Sequence, residues 1–132
     1  MLKVLVVDDS ILMINNVSTY VKKLGHKVVG TAMNGEDAVK LCLEIKPNLI
    51  TMDITMPDMD GLTAIKKIKE FDKDVNIIVI TSHSQEEMVM KSLRSGAKAY
   101  VLKPVSLENL KDAIATIYEK YSQSPREYLL DD

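Results

Sequence analysis

Val4-Leu5-Val6-Val7-Asp8-Asp9 is an unbroken run of aliphatic, mostly β-branched residues that ends abruptly in two carboxylates. The arrangement recurs along the chain. Leu49-Ile50-Thr51-Met52 runs into Asp53, Ile77-Ile78-Val79-Ile80 into Thr81-Ser82, and Ala99-Tyr100-Val101-Leu102 into Lys103-Pro104. Short, near-continuous apolar runs predict parallel strands covered on both faces. The carboxyl ends of such strands share one edge of the sheet, and ligands bind in the crevice outside it. Three carboxylates, a hydroxyl and a lysine are therefore expected at one edge, a set that suits a divalent metal and a phosphoryl group.

Outward from these runs, the chain alternates strand and helix five times. Strands are predicted at 3–7, 27–31, 49–52, 76–80 and 98–102. Between them Ile14, Val17, Val21 and Leu24 share a helical face, as do Ala38, Leu41, Cys42 and Ile45, and then Leu62, Ile65 and Ile68. Met88 and Leu93 give a weaker fourth helix, and Leu107, Leu110, Ile114, Ile117 and Tyr121 a clear fifth. Ser10, Asn34 and Ser106 (with Asn109 following) fit helix starts. Gly25 and Gly96 fit the left-handed position past a helix end, while Pro47 and Pro57 fall in connections. This pattern predicts an α/β three-layer sandwich with right-handed crossovers. The second strand ends in Gly30-Thr31 with nothing reactive and belongs at an edge, whereas the acid-bearing first and third strands belong side by side at the centre. The order 2-1-3-4-5, that of flavodoxin-like sheets, meets both conditions.

A length of 132 residues suits one domain, and 46% apolar with 27% charged residues is an ordinary globular composition. The net charge of −2 gives no reason to expect nucleic acid or membrane as a partner. The longest apolar runs are strand-sized, and Met1 leads directly into a strand without a signal-peptide pattern, so a cytoplasmic protein is expected. The single cysteine, Cys42, has no internal disulfide partner and falls on a helix's apolar stripe, which makes it a core residue.

Two adjacent aspartates after a strand could simply cap a helix. A third at the end of another central strand changes the balance, because converging carboxylates repel unless a cation compensates. A hard divalent ion with oxygen ligands answers that need, and Mg²⁺ suits a few carboxylates, waters and phosphate oxygens. Asp9 and Asp53 are expected as direct ligands, Asp8 through a water, and the backbone carbonyl of Thr55 as a further candidate. Asp53 is the expected nucleophile, since a carboxylate can attack phosphorus to give an aspartyl phosphate. Lys103 would pair with a phosphoryl oxygen and the Thr81 hydroxyl would bond another, while the small Ser82 leaves room for entry.

The spacing of DD (8–9), D-x-x-M-P-x-M-D-G (53–61), T-S (81–82) and G-A-x-x-Y-x-x-K-P (96–104) resembles the receiver domain of bacterial two-component response regulators, the chemotaxis regulators included. The likeness covers about residues 2–121, leaving 122–132 as a tail or linker. It implies that Asp53 accepts a phosphoryl group from a phosphohistidine on a sensor kinase or histidine phosphotransfer protein, with Mg²⁺ required. It implies a cis Lys103-Pro104 bond that aims the lysine inward. It further implies a switch in which Thr81 moves toward the phosphoryl oxygen and Tyr100 turns inward. The fourth helix, fifth strand and fifth helix would then meet a downstream protein. Thr55 and His83 occupy positions that influence phosphoryl hydrolysis in that family.

Other features have plainer explanations. His83 is expected to face solvent beside the site, His26 to be structural, and Met52, Met56 and Met59 to be adaptable packing. The lysines at 22–23, 66–67 and 69 are expected on solvated helix surface. An aspartate-nucleophile phosphatase usually carries a second acid two residues on, where this chain has Thr55. A mononucleotide binder needs a glycine- or hydroxyl-rich loop where this chain has Asp8-Asp9. A signalling phosphoacceptor, not a turnover enzyme, is therefore expected, with no DNA-binding module of its own. It would act by binding a partner, as a phosphorelay intermediate, or as the receiver segment of a longer transcriptional regulator. In the tail, Tyr128, Leu129 and Leu130 could dock on a partner or on a neighbouring copy.

Overall fold

The apolar runs become strands and the amphipathic stretches become helices. The computed structural model describes residues 1–54, 61–82 and 86–121, with side chains described through Tyr118. Its elements are β1 (Lys3–Val7), α1 (Ile11–Lys23), β2 (Lys27–Ala32), α2 (Gly35–Ile45), β3 (Leu49–Asp53), α3 (Gly61–Phe71), β4 (Asn76–Thr81), α4 (Glu86–Arg94), β5 (Ala99–Leu102) and α5 (Leu107–Tyr121). The strands form one parallel sheet of order β2-β1-β3-β4-β5, so the expected topology holds. Thr55, Met56, Pro57, Met59, His83 and the tail 122–132 lie outside the described residues.

Strand side chains alternate between faces, and the core divides accordingly. Leu5, Val7, Ile50, Met52, Ile77 and Val79 pack with Ala38, Cys42, Ile65 and Ile68 of α2 and α3. Val4, Val6, Leu49, Ile78 and Ile80 pack with Ile14, Val17, Leu110, Ile114 and Ile117 of α1 and α5. Strands β3 and β4 are buried along their whole length, whereas edge strand β2 is mostly half-exposed. Each fully buried aliphatic side chain contributes roughly 2 kcal/mol of transfer free energy. The most firmly held backbone is thus the part that ends in Asp53 and Thr81. None of the described helices is long and apolar enough to cross a membrane.

Local chemistry sets the boundaries. Ser10 accepts from the Met13 N–H and Asn34 from the Asp37 N–H, capping α1 and α2. Gly25 and Gly96 adopt φ of 89° and 123°, the left-handed backbone expected past α1 and α4. Lys46 takes the same region without being glycine, at φ 53°. Strands β3 and β4 run one residue beyond expectation, so Asp53 and Thr81 are the last paired residues of their strands, while β5 starts one residue later.

Two expectations need correction. Lys69 is not simply solvated: its Nζ donates to the carbonyls of Lys73 (2.7 Å) and Val75 (2.9 Å), tying the end of α3 to the turn before β4. The long stem follows the half-buried helix flank, and the ammonium satisfies carbonyls that the turn leaves unpaired. Leu107, read on the apolar face of α5, is its first residue and remains 37% exposed. His26 is structural as expected, its Nδ1 accepting from the Leu2 N–H at 3.1 Å.

Thr51, in the middle of β3, is fully buried, and its hydroxyl has no hydrogen-bond partner among the described residues. Removing an orphaned hydroxyl while keeping the shape removes a desolvation penalty. Thr51→Val should therefore raise unfolding free energy by about 1 kcal/mol. A urea titration checks this, and a lower midpoint would mean that the hydroxyl is satisfied.

Candidate functional site

Strand register assembles the site. Val7 pairs with Met52, so the next residues, Asp8 and Asp53, leave neighbouring strands side by side. Asp53 pairs with Ile80 and Thr81 with Leu102, which places Thr81 and Lys103 one step further along the same edge. The strand ends are pinned to one another. Asp8 N–H donates to the Ala32 carbonyl at 3.1 Å, Ile54 N–H to that of Ile80 at 3.4 Å, and Lys103 N–H to that of Thr81 at 2.7 Å.

The side chains singled out from the sequence lie together at this edge. Asp8, Asp9 and Asp53 offer carboxylate oxygens that all lie within 4.8 Å of one another. Asp8 and Asp53 are buried, whereas Asp9 faces solvent. Lys103 Nζ stands 3.7 Å from Asp53 Oδ2, and the Lys103-Pro104 bond is cis. Thr81 is buried, and its hydroxyl makes a long 3.4 Å bond to the Ser82 carbonyl. Tyr100 is 48% exposed on β5 and lines a surface cleft of about 310 Å³ with Ser82, Val89, Met90 and Leu93.

Asp8 shows the electrostatic state of the cluster. One oxygen accepts from the Ser10 N–H at 2.9 Å, while Oδ2 is buried with no hydrogen-bond partner among the described residues. Burial is the main cause that pushes its carboxyl up from 3.8 to about 6. The Ser10 N–H opposes it, Asp53 and Asp9 add like-charge repulsion, and Lys103 offsets part of that. A buried, unpartnered carboxylate oxygen beside two further carboxylates is a donor set of hard oxygens, and Mg²⁺ fits it.

A pH dependence follows. The folded carboxyl binds its proton more tightly than the unfolded one, so Asp8 adds stability below about pH 4 that is lost as pH rises through about 6. The loss without added metal should reach about 3 kcal/mol at most. Urea titrations of wild type and Asp8→Asn between those limits check it. The variant should lack this component, and parallel curves would refute the assignment.

One residue was not recognised from sequence as part of this geometry. A Cβ on Gly61 would lie 2.5 Å from the Asp53 carbonyl oxygen and 2.5 Å from Ile54 Cα. Helix α3 thus begins flush against the strand end that carries Asp53. The signals were its place at the end of the D-x-x-M-P-x-M-D-G stretch (53–61) and a glycine at the start of a helix, where better helix formers are usual.

Comparison with known proteins agrees with this geometry. The family model described as the response regulator receiver domain matches residues 4–115. Chemotaxis protein CheY of Treponema pallidum is 41% identical over 117 residues, covering 87% of this chain and 81% of that protein. Response regulator protein VraR of Staphylococcus saprophyticus is 34% identical over 130 residues, covering 98% of this chain but 62% of that protein. Among solved structures, the CheX–CheY–BeF3–Mg²⁺ complex from Borrelia burgdorferi superposes with a TM-score of 0.84 at 32% identity, covering 88% of both chains.

Proposed function

The chain belongs to the response regulator receiver domain family, and from that premise we propose that it accepts a phosphoryl group on Asp53 and relays the event to a protein partner. The observation that carries this is Lys103 Nζ at 3.7 Å from the buried Asp53 carboxylate, beside two further carboxylates, one of which keeps a buried oxygen with no hydrogen-bond partner among the described residues. The donor is a phosphohistidine of a sensor kinase or histidine phosphotransfer protein. An Asp53 oxygen attacks phosphorus, the P–N bond breaks, and the imidazole leaves with the electron pair and takes up a proton from solvent. Lys103 pairs with one oxygen of the transferred group and the Thr81 hydroxyl bonds another. Asp9, Asp53 and the Thr55 carbonyl would hold Mg²⁺ directly and Asp8 through a water, and the ion when bound supplies charge neutralisation for the transferring group.

The acyl phosphate adds about two negative charges and three strong acceptors at the end of β3. Thr81 and the half-exposed Tyr100 are the elements that this charge would bias, with α4, β5 and α5 as the output surface. The chain is a signalling phosphoacceptor that assists its own phosphorylation and hydrolysis, with residues 1–121 as the receiver and 122–132 as tail or linker, in the cytoplasm. A second reading, the receiver segment of a longer regulator, is favoured by the match to response regulator protein VraR along nearly the whole chain but only part of that protein. Incubation with a phosphorylated histidine phosphotransfer protein tests the role. Label should move to this chain only with Mg²⁺ present, and label that stays on the histidine under every condition would contradict it.

A further inference from the structure

Asn109, in the first turn of α5, engages its backbone N–H and both polar atoms of its side chain. Its Oδ1 accepts from the Ser106 N–H at 2.8 Å, and its own N–H donates to Ser106 Oγ at 3.0 Å. These two bonds form a reciprocal cap and serve the helix. Its Nδ2 does something else: it donates to the Pro104 carbonyl at 3.2 Å and to the Leu102 carbonyl at 3.4 Å. Those are the carbonyls on either side of Lys103. The amide orientation is fixed by its surroundings, since the nitrogen faces two acceptors and the oxygen faces a donor.

We infer that Asn109 is a positioning residue for Lys103, an amide clamp that grips both carbonyls flanking the lysine and so holds its ammonium at Asp53. Lys103 is one-third exposed, and among the described residues its backbone N–H bond to the Thr81 carbonyl is the other tether of that corner. A side chain that reaches into a site over a flexible corner loses alignment readily, and small displacements of a charged group are expensive in rate. The cap alone needs only an acceptor at this position. The clamp also needs two donors on the same short side chain, which aspartate lacks. The rate consequence rests on the phosphoacceptor role proposed above, whereas the clamp itself does not.

Asn109→Asp in the full chain separates the two tasks, because it keeps an acceptor for the Ser106 N–H and sets a carboxylate against two carbonyl oxygens. Amide hydrogen exchange at Lys103 should accelerate about tenfold, the equivalent of roughly one lost hydrogen bond. Exchange at Leu110, whose N–H bonds the Ser106 carbonyl at 3.1 Å, should change by less than about threefold because the cap survives. Asn109→Ala, which introduces no charge, should repeat the Lys103 result. With Mg²⁺ and a small acyl phosphate, Asn109→Asp should slow phosphorylation several-fold in the wild-type background and add nothing to the loss already caused by Lys103→Ala. Unchanged exchange at Lys103 would overturn the clamp, as would an equal fractional loss of rate in both backgrounds. If wild type accepts no phosphoryl group at all, exchange alone decides the clamp, and it is the proposed function that falls.

Discussion

Gly61→Ala should cost about 3 kcal/mol of stability and unseat Asp53. The added methyl meets backbone, not a yielding side chain: the Asp53 oxygen and Ile54 Cα at 2.5 Å, and the Asp53 carbonyl carbon at 3.1 Å. Either α3 withdraws or the end of β3 shifts. Met52 and Ile54 are buried on either side of Asp53, so a shift of β3 disturbs the core as well. The contrast is Gly30, where a new Cβ would touch only the side-chain ends of Ile45 and Leu5. Gly30→Ala should therefore be the milder substitution. In Gly61→Ala, phosphorylation should fall by at least about tenfold beyond the loss of folded protein, because the displaced atom belongs to Asp53, the proposed nucleophile. Denaturant titration with rate measurements on the folded fraction checks both parts, and a near-neutral Gly61→Ala would show that α3 withdraws freely.

Asp9→Ala should weaken Mg²⁺ binding by about a hundredfold and, without metal, leave the fold as stable as before or slightly more so. The two effects have one cause. Asp9, Asp8 and Asp53 bring their oxygens within 4.8 Å of one another, which favours a cation and penalises its absence. Asp9 is the exposed member, so its removal leaves no cavity in the core. Wild type should gain stability with rising Mg²⁺ as RT ln(1 + [Mg²⁺]/Kd), while the variant's melting curve stays flat over the same range. Calorimetric titration measures the affinity directly, and an unchanged titration would remove Asp9 from the ligand set.

Most of this architecture is legible in the sequence because one physical pattern is written several times. Strand-length apolar runs such as Ile77–Ile80 fit parallel strands covered on both faces, and the reactive residues fall immediately after four of them. The edge position of β2 followed from its lack of a reactive end. Less accessible was whatever depends on contact between distant segments. Nothing local to Gly61 tells that it abuts the backbone of Asp53 and Ile54. Lys69 has the composition of a surface lysine, and only the turn before β4 gives its ammonium two carbonyls to bond. The capping role of Asn109 follows from its spacing to Ser106, but its grip on Leu102 and Pro104 depends on how that corner folds back. Asp8 could be placed at the site from sequence, whereas its burial with one orphaned oxygen could not.

The most direct test of the central claim is intact-mass analysis of wild type and Asp53→Asn after incubation with a small acyl phosphate, with and without Mg²⁺. Wild type should gain the mass of one phosphoryl group only when Mg²⁺ is present, and Asp53→Asn should gain none. A wild type that stays unmodified under every condition, or an Asp53→Asn protein that gains the same mass, would contradict Asp53 as the phosphoacceptor.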